Sequence, residues 1–265
     1  MKPADSSELA TAHARLSGPA YHGEFVARYD ELRPKPPPEL FELLGSLAPR
    51  RPPGLIVDLG AGTGISTVPW SARASRVIGI ELNPEMVRRA RRAPNVTYVN
   101  ESAHETGLPD ACADIVTCAQ SFHWMEPEST IAEIARLLRP GGVFAAYDYD
   151  WPPLIEPTVD QAFLAVIEAS GVDPERPDKA AHRAHLRGSG LFRITREVFL
   201  HAREVATAAH VADLPYAFGP VARRLDEGVK PEQLGLDTHR RAAEQRLDPD
   251  TNVMWWSYRI RLAIL

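Results

Sequence analysis

Cysteine is nearly absent from this chain. Only Cys112 and Cys118 occur in 265 residues. They share one short segment without a Cys-x-x-Cys pair, so they frame no disulfide scaffold and supply too few ligands for a structural zinc site. No metal is expected. Cys118 falls mid-strand and reads as a small core residue. Long apolar runs are missing too. None approaches the ~18 residues that a membrane-spanning helix needs. The first residues, Met1 to Glu8, hold no apolar signal core. The expectation is therefore a reduced, cytoplasmic setting with no membrane partner. A positive balance is also lacking. Net charge is −5, which disfavours nucleic acid, because phosphates call for a basic face. Lysine occurs only at Lys2, Lys35, Lys179 and Lys230 while arginine is abundant, a bias typical of a GC-rich, bacterial genome. No internal repeat or low-complexity tract is present. The remainder, 44% hydrophobic and 25% charged, is ordinary for a globular protein. The length allows one large domain, or one domain with an appended cap.

What the chain does have is a glycine-rich turn. Residues 54–64 read Gly-Leu-Ile-Val-Asp-Leu-Gly-Ala-Gly-Thr-Gly. Leu55 to Leu59 is a short apolar run broken only by Asp58, as in a strand buried on both faces of a parallel sheet. Gly60, Gly62 and Gly64 then permit a tight turn and close approach of a ligand to the backbone. A helix is expected over 65–73. Strand, glycine turn and helix together sit where open α/β sheets bind ligands. Two familiar patterns fail. A dinucleotide loop requires a third glycine at position 65, which is Ile65, and a Walker loop requires a lysine after Gly64. The spacing resembles motif I of the class I S-adenosylmethionine-dependent methyltransferases. That resemblance implies that Asp58 and the loop residues Gly60, Ala61, Gly62, Thr63 and Gly64 hold the methionine and ribose end of this cofactor.

Upstream, a helix is expected over 21–33, ended by Pro34, and another over 38–47. Tyr29-Asp-x-x-Arg33-Pro34 is similar to a motif of several small-molecule methyltransferases, which implies that Tyr29 and Arg33 lie over the cofactor's methionine end. Helix packing plus a solvated arginine is the alternative. Downstream, Val77 to Ile80 forms a second strand that ends in Glu81, 23 residues after Asp58. An acidic residue there can accept from both ribose hydroxyls, at an expected offset of ~20 residues. Leu82 follows it into the site. Residues 84–92 read as a helix with an arginine-rich outer side. After a third strand at 96–100, Ser102-Ala103 resembles the pair that contacts adenine in the family. His104 reads as a loop residue.

Ala113 to Ala119 is the fourth strand, followed directly by Gln120-Ser121-Phe122-His123-Trp124. Side chains at this carboxyl end face a bound ligand in doubly wound folds. Val-Thr-Cys-Ala-Gln-Ser-Phe-His-Trp is similar to the type 11 branch, which acts on small molecules. The resemblance implies a cofactor contact for Gln120. For His123 it implies acceptor binding or proton transfer, and a loop histidine packed on Trp124 is the alternative. A helix over 127–139, the Leu-Arg-Pro-Gly-Gly stop at 138–142 and a fifth strand at 143–147 also fit the family. Asp148 to Pro153 is polar and aromatic enough for a substrate pocket. Beyond it, helices at 158–170 and 176–188, a sixth strand at 192–200, a helical lid over 207–247 and a last strand at 255–264 are expected.

The fold expected is Rossmann-like α/β: a doubly wound, mostly parallel seven-stranded sheet with a helical lid. Four segments divide it: an N-terminal lid at 1–50, a cofactor-binding core at 51–150, a cap with strand six at 151–250, and a closing strand at 251–265. The implied function is methyl transfer from S-adenosylmethionine to a small acceptor, with O- or N-methylation expected. A cofactor-binding member without transfer activity, such as a cyclase or pathway partner, is the alternative. RNA methylation is disfavoured by the acidic charge and by the lack of an Asn/Asp-Pro-Pro-Tyr/Phe motif after strand four.

Overall fold

The computed structural model describes residues 30–171 and 181–265. Seven strands form one sheet in the order β3-β2-β1-β4-β5-β7-β6. β1 (Leu55–Leu59), β2 (Arg76–Ile80), β3 (Val96–Val99), β4 (Ala113–Ala119) and β5 (Leu138–Tyr149) run parallel. β7 (Asn252–Ile264) is antiparallel to both β5 and β6 (Ile194–Ala206). The order reverses between β1 and β4, so a crevice opens outside their carboxyl ends. β1 is flanked by β2 and β4 in register, with Asp58 beside Gly79 on one side and Thr117 on the other.

Alternation along the strands divides the core into two layers. Ile56, Val77, Ile115, Val143 and Ala145 face one layer. Val57, Ile78, Val116, Phe144 and Ala146 face the other. Helix α1 (Pro38–Leu47) covers the first layer with Leu40, Phe41 and Leu44. Proline suits its first turn, where its missing N–H is not needed. α2 (Pro84–Arg89) starts at Asn83, whose side chain accepts from the amides of Glu85 and Met86. α3 (Pro127–Leu137) is capped likewise by Glu126 and buries Ile131, Ile134 and Leu137 in the second layer. α4 (Pro157–Ser170), α6 (Ala208–Asp213), α7 (Gly219–Asp226) and α8 (Leu236–Arg246) form a helical cap. They pack on the first layer around Trp256, Tyr258 and Met254 of β7. α5 (His182–Gly188) adds Leu186 to the second layer. Cys118 is buried and unbridged, and burial pushes its thiol well up, as befits a core residue.

Three expectations about elements need correction. The helix expected at 65–73 is a series of turns leading into a 3-10 helix at Val68–Ala72. The Val68 amide still donates to the Gly64 carbonyl at 3.0 Å, but Pro69 has no amide to continue the ladder. The Leu-Arg-Pro-Gly-Gly segment does not separate helix from strand: β5 begins at Leu138, with a register shift opposite Ala113–Ile115. The outer strands are longer than expected, since β6 and β7 pair over Ile194–Ala206 and Asn252–Ile264. The helix expected at 21–33 lies outside the described residues except its last turn, and 172–180 is likewise outside. Among the described residues no helix is long and apolar enough to cross a membrane.

Candidate functional site

β1 delivers the chain into the glycine turn at Gly60. The amides of Gly60 and Ala61 both donate to the Ile80 carbonyl, at 2.8 and 3.0 Å. The Gly62 amide donates to Glu81 Oε2 at 2.8 Å. The turn is thus tied to the end of β2 by three bonds. Gly62 has φ +55 and Gly64 has φ +85, conformations that L side chains rarely adopt. A Cβ on Gly64 would lie 2.1 Å from the Tyr98 hydroxyl, whereas one on Gly62 would meet nothing within 4 Å. Gly64 is required by packing and lines no cleft. Gly62 faces open space.

Asp58 does not reach that space. Its carboxylate is fully buried and accepts from Ser66 Oγ at 2.8 Å, Thr67 Oγ1 at 2.6 Å and Thr117 Oγ1 at 2.8 Å. Burial raises its pKa, and the three hydroxyls oppose that rise. Through these bonds Asp58 fastens the turn from beneath.

Two clefts meet over the turn. The first, of about 490 Å³, is lined by Arg33, Ala61, Thr63, Gln120, Tyr147 and Tyr149 among others. The second, of about 660 Å³, is lined by Glu81, Leu82, Met86, Ala103, Trp124 and Met125 among others. Gly60, Gly62, Ala119 and Gln120 belong to both, so they form one groove bent across the turn. Glu81 Oε1 also accepts from the Asn83 amide at 2.8 Å, and burial pushes its carboxyl up. Ser102 is not in the wall. Its hydroxyl pairs with His104 Nδ1 at 2.7 Å, and Glu101 and Ala103 take the position instead. Met86, Trp124 and Met125 were not expected in the wall. Trp124 and Met125 follow Gln120 closely, and that proximity was their only signal in the sequence.

Arg33 closes the first cleft. Its Nη1 donates to the Tyr149 hydroxyl at 2.5 Å, and its guanidinium lies 5.5 Å from the Tyr149 ring centre and 5.9 Å from that of Trp151. Tyr29 and the upstream His22 lie outside the described residues. Thr63 is buried, and its hydroxyl donates to Asp30. Gln120 sits in the left-handed region at φ +53. Its amide donates to the Tyr147 carbonyl at 2.9 Å and its Nε2 to the Tyr149 carbonyl at 3.3 Å. Such a conformation costs of order 1–3 kcal/mol and persists only where surrounding structure enforces it.

A third, smaller cleft of about 300 Å³ begins at Arg33 and Gln120 and includes His123. His123 lies on a 3-10 turn at Phe122–Trp124 and is 1% exposed. Its ring centre is 4.9 Å from that of Trp124. His123 therefore packs on Trp124 and also lines the cleft. Nδ1 is 3.6 Å from Asp148 Oδ1. Asp148 Oδ2 accepts from Arg261 Nη1 at 2.6 Å, and Arg261 Nε is 3.2 Å from Glu197. Asp148 is buried in this network, away from the groove. Among the described residues no group of three or more His, Cys, Asp or Glu is placed to hold a metal ion.

Residues 57–146 match a profile described as a methyltransferase domain, of type 11. Over these residues, about a third of the chain, the sequence is that of a methyltransferase domain, set in the sheet order described above. It is 40% identical over 121 residues to the uncharacterized methyltransferase Rv3342 of Mycobacterium tuberculosis, a match covering 45% of this chain and 48% of that protein. It is 32% identical over 148 residues to trans-aconitate 2-methyltransferase of Methylobacterium radiotolerans, covering 54% of each. The chain spans about half the length of the curated relatives it matches. Among solved structures, a candidate type II methyltransferase from Anaeromyxobacter dehalogenans has a TM-score of 0.70 and 28% identity, covering 88% of this chain and 97% of that one.

The cofactor of class I methyltransferase domains is S-adenosylmethionine, and the groove fits it. The place that a Cβ would fill at Gly62 is open on the cleft side. The two arms of the groove differ in chemistry as the two ends of this cofactor do. Glu81 and apolar Leu82, Met86 and Met125 mark one arm, and cationic Arg33 with polar Gln120 marks the other. An ionised carboxylate offers about four lone-pair sites. Glu81 uses two on backbone amides.

Proposed function

We propose that the protein is a methyltransferase that uses S-adenosylmethionine to methylate a small-molecule acceptor. The observation that carries this reading is the bent groove over Gly60–Thr63, which meets a separate cleft at Gln120. Bound S-adenosylmethionine would supply an electrophilic methyl group on a sulfonium. The chain's part is then to bind, align and exclude water. Glu81 would accept from the ribose hydroxyls. Leu82, Ala103 and Met125 would enclose the adenine. Arg33, Gln120 and the turn from Gly60 to Thr63 would hold the methionine end. Tyr29, outside the described residues, would join them.

His123 would act on the acceptor. An imidazole beside a carboxylate, here with Nδ1 3.6 Å from Asp148 Oδ1, can take a proton at Nε2. An acceptor that is already ionised needs no base, and His123 would then only bind it. A small acceptor is supported by a relative named for methylating trans-aconitate. Nucleic acid as partner is disfavoured by the net charge of −5. A cytoplasmic setting is favoured by the unbridged Cys112 and Cys118.

Incubation with methyl-labelled S-adenosylmethionine and a panel of small acceptors tests the proposal. Label should pass to one chemical class of acceptor, and Gly62→Val should abolish the transfer. A folded protein that binds the cofactor but transfers no label to any acceptor class contradicts it, and favours a non-transferring member of the fold.

A further inference from the structure

The third cleft has walls from three separate parts of the chain. Trp124 follows β4, Trp151 follows β5, and Phe218 precedes α7 in the helical cap. The rings of Trp151 and Phe218 are 5.6 Å apart at 58°. Aromatic side chains converging from distant segments make a surface suited to another flat ring.

Arg33 is the cationic side chain of the described wall, His123 lies beside it, and no Asp or Glu is among the described residues lining it. Asp148, 3.6 Å from His123, does not line the cleft and accepts from Arg261 at 2.6 Å. An ammonium group would meet the Arg33 cation there, whereas an oxyanion would be attracted to it. The cleft also joins the cofactor groove, because Gln120 lines all three clefts and Arg33 two of them.

We propose that this cleft is the acceptor subsite, and that it takes a planar aromatic compound bearing an acidic oxygen, a carboxylate or a phenol. Trp124, Trp151 and Phe218 stack the ring, and Arg33 and His123 receive the oxygen. The inference rests on the methyl-transfer reading of the adjoining groove. Its binding step can nevertheless be measured without the cofactor.

The test is calorimetric titration of the folded protein near neutral pH with 4-hydroxybenzoate, cyclohexanecarboxylate and benzylamine, with and without S-adenosylhomocysteine. We expect 4-hydroxybenzoate to bind more tightly than cyclohexanecarboxylate, and benzylamine not to bind. Phe218→Ala should weaken 4-hydroxybenzoate about tenfold and leave S-adenosylhomocysteine affinity unchanged. Phe218→Leu serves if the alanine variant fails to fold, and should weaken the ring in the same direction. Benzylamine binding as well as 4-hydroxybenzoate overturns the proposal. So does unchanged 4-hydroxybenzoate affinity in the folded Phe218 variant. Binding of S-adenosylhomocysteine with no binding of 4-hydroxybenzoate overturns the subsite alone. The reverse pattern upholds the aromatic subsite and removes the methyl-transfer reading.

Discussion

Gly62 and Gly64 share a positive φ but differ in what surrounds them, and this separates folding from binding. At Gly62, alanine must adopt a left-handed conformation, at a cost of ~1–2 kcal/mol. Nothing lies within 4 Å of its Cβ, so no packing cost is added. For a chain of this size that is a loss of about 2–8 °C in Tm. The new methyl stands at the junction of both arms of the groove, so cofactor affinity should fall about tenfold or more. At Gly64 the conformational cost is similar, but the Cβ would lie 2.1 Å from the Tyr98 hydroxyl. Moving Tyr98 breaks its bond to the Arg91 carbonyl, 2.9 Å long. About 1 kcal/mol for the bond and ~1–3 kcal/mol for overpacking bring the total to about 3–6 kcal/mol. Urea unfolding and calorimetric titration with S-adenosylhomocysteine, run on both variants, make the comparison. Gly62→Ala that destabilises as much as Gly64→Ala, or that binds like wild type, would refute the reasoning.

Other perturbations follow from the same contacts. Glu81→Ala should weaken S-adenosylmethionine binding by ~1.5–3 kcal/mol, the scale of bonds to a charged group; calorimetry on the folded variant measures it. Burial holds the Glu81 carboxyl above its ordinary value. The native protein then binds more protons than the unfolded chain above about pH 4.3, and this group's contribution falls as pH rises through its native pKa. Glu81→Gln should therefore gain stability relative to wild type as pH rises over that window, read from unfolding curves at several pH values. Arg261→Met should cost ~3–5 kcal/mol, because Asp148 keeps a buried charge without its 2.6 Å partner. Adding Asp148→Asn should restore part of that loss in the same denaturation assay. His123→Ala should lower turnover ~10²–10⁴-fold and flatten the pH–rate profile if it is the general base. If it only binds the acceptor, KM rises and the profile persists.

The sequence is most informative where structure is set locally. β1 and α1 are bounded where apolar runs meet glycine or proline, β4 is a continuous small and apolar run, and each is found at its expected position. The glycine turn is similarly local, since its spacing alone distinguished it from dinucleotide and Walker loops. The bonds of Asp58 were not legible because not all of its partners are neighbours. Thr117 lies 59 positions away, and only the β1–β4 register brings it alongside. Ser102 turned out to serve His104 two residues on, a bond that competes locally with any contact to a ligand. The helix after the turn failed on one residue, Pro69. The third cleft was the least legible part. Its walls come from Trp124, Trp151 and Phe218, and no periodicity links β4, β5 and the cap. The aromatic stretch at 148–153 hinted at a pocket, but its partner Phe218 is visible only once the cap has folded over the first layer.

Calorimetric titration of the wild-type protein with S-adenosylmethionine tests the central claim most directly. The groove from Glu81 to Arg33 is expected to bind one equivalent, and Gly62→Val, with a native circular dichroism spectrum, is expected to bind none. A folded wild-type protein that binds no S-adenosylmethionine, or a Gly62→Val variant that binds it equally well, would contradict the assignment of the groove.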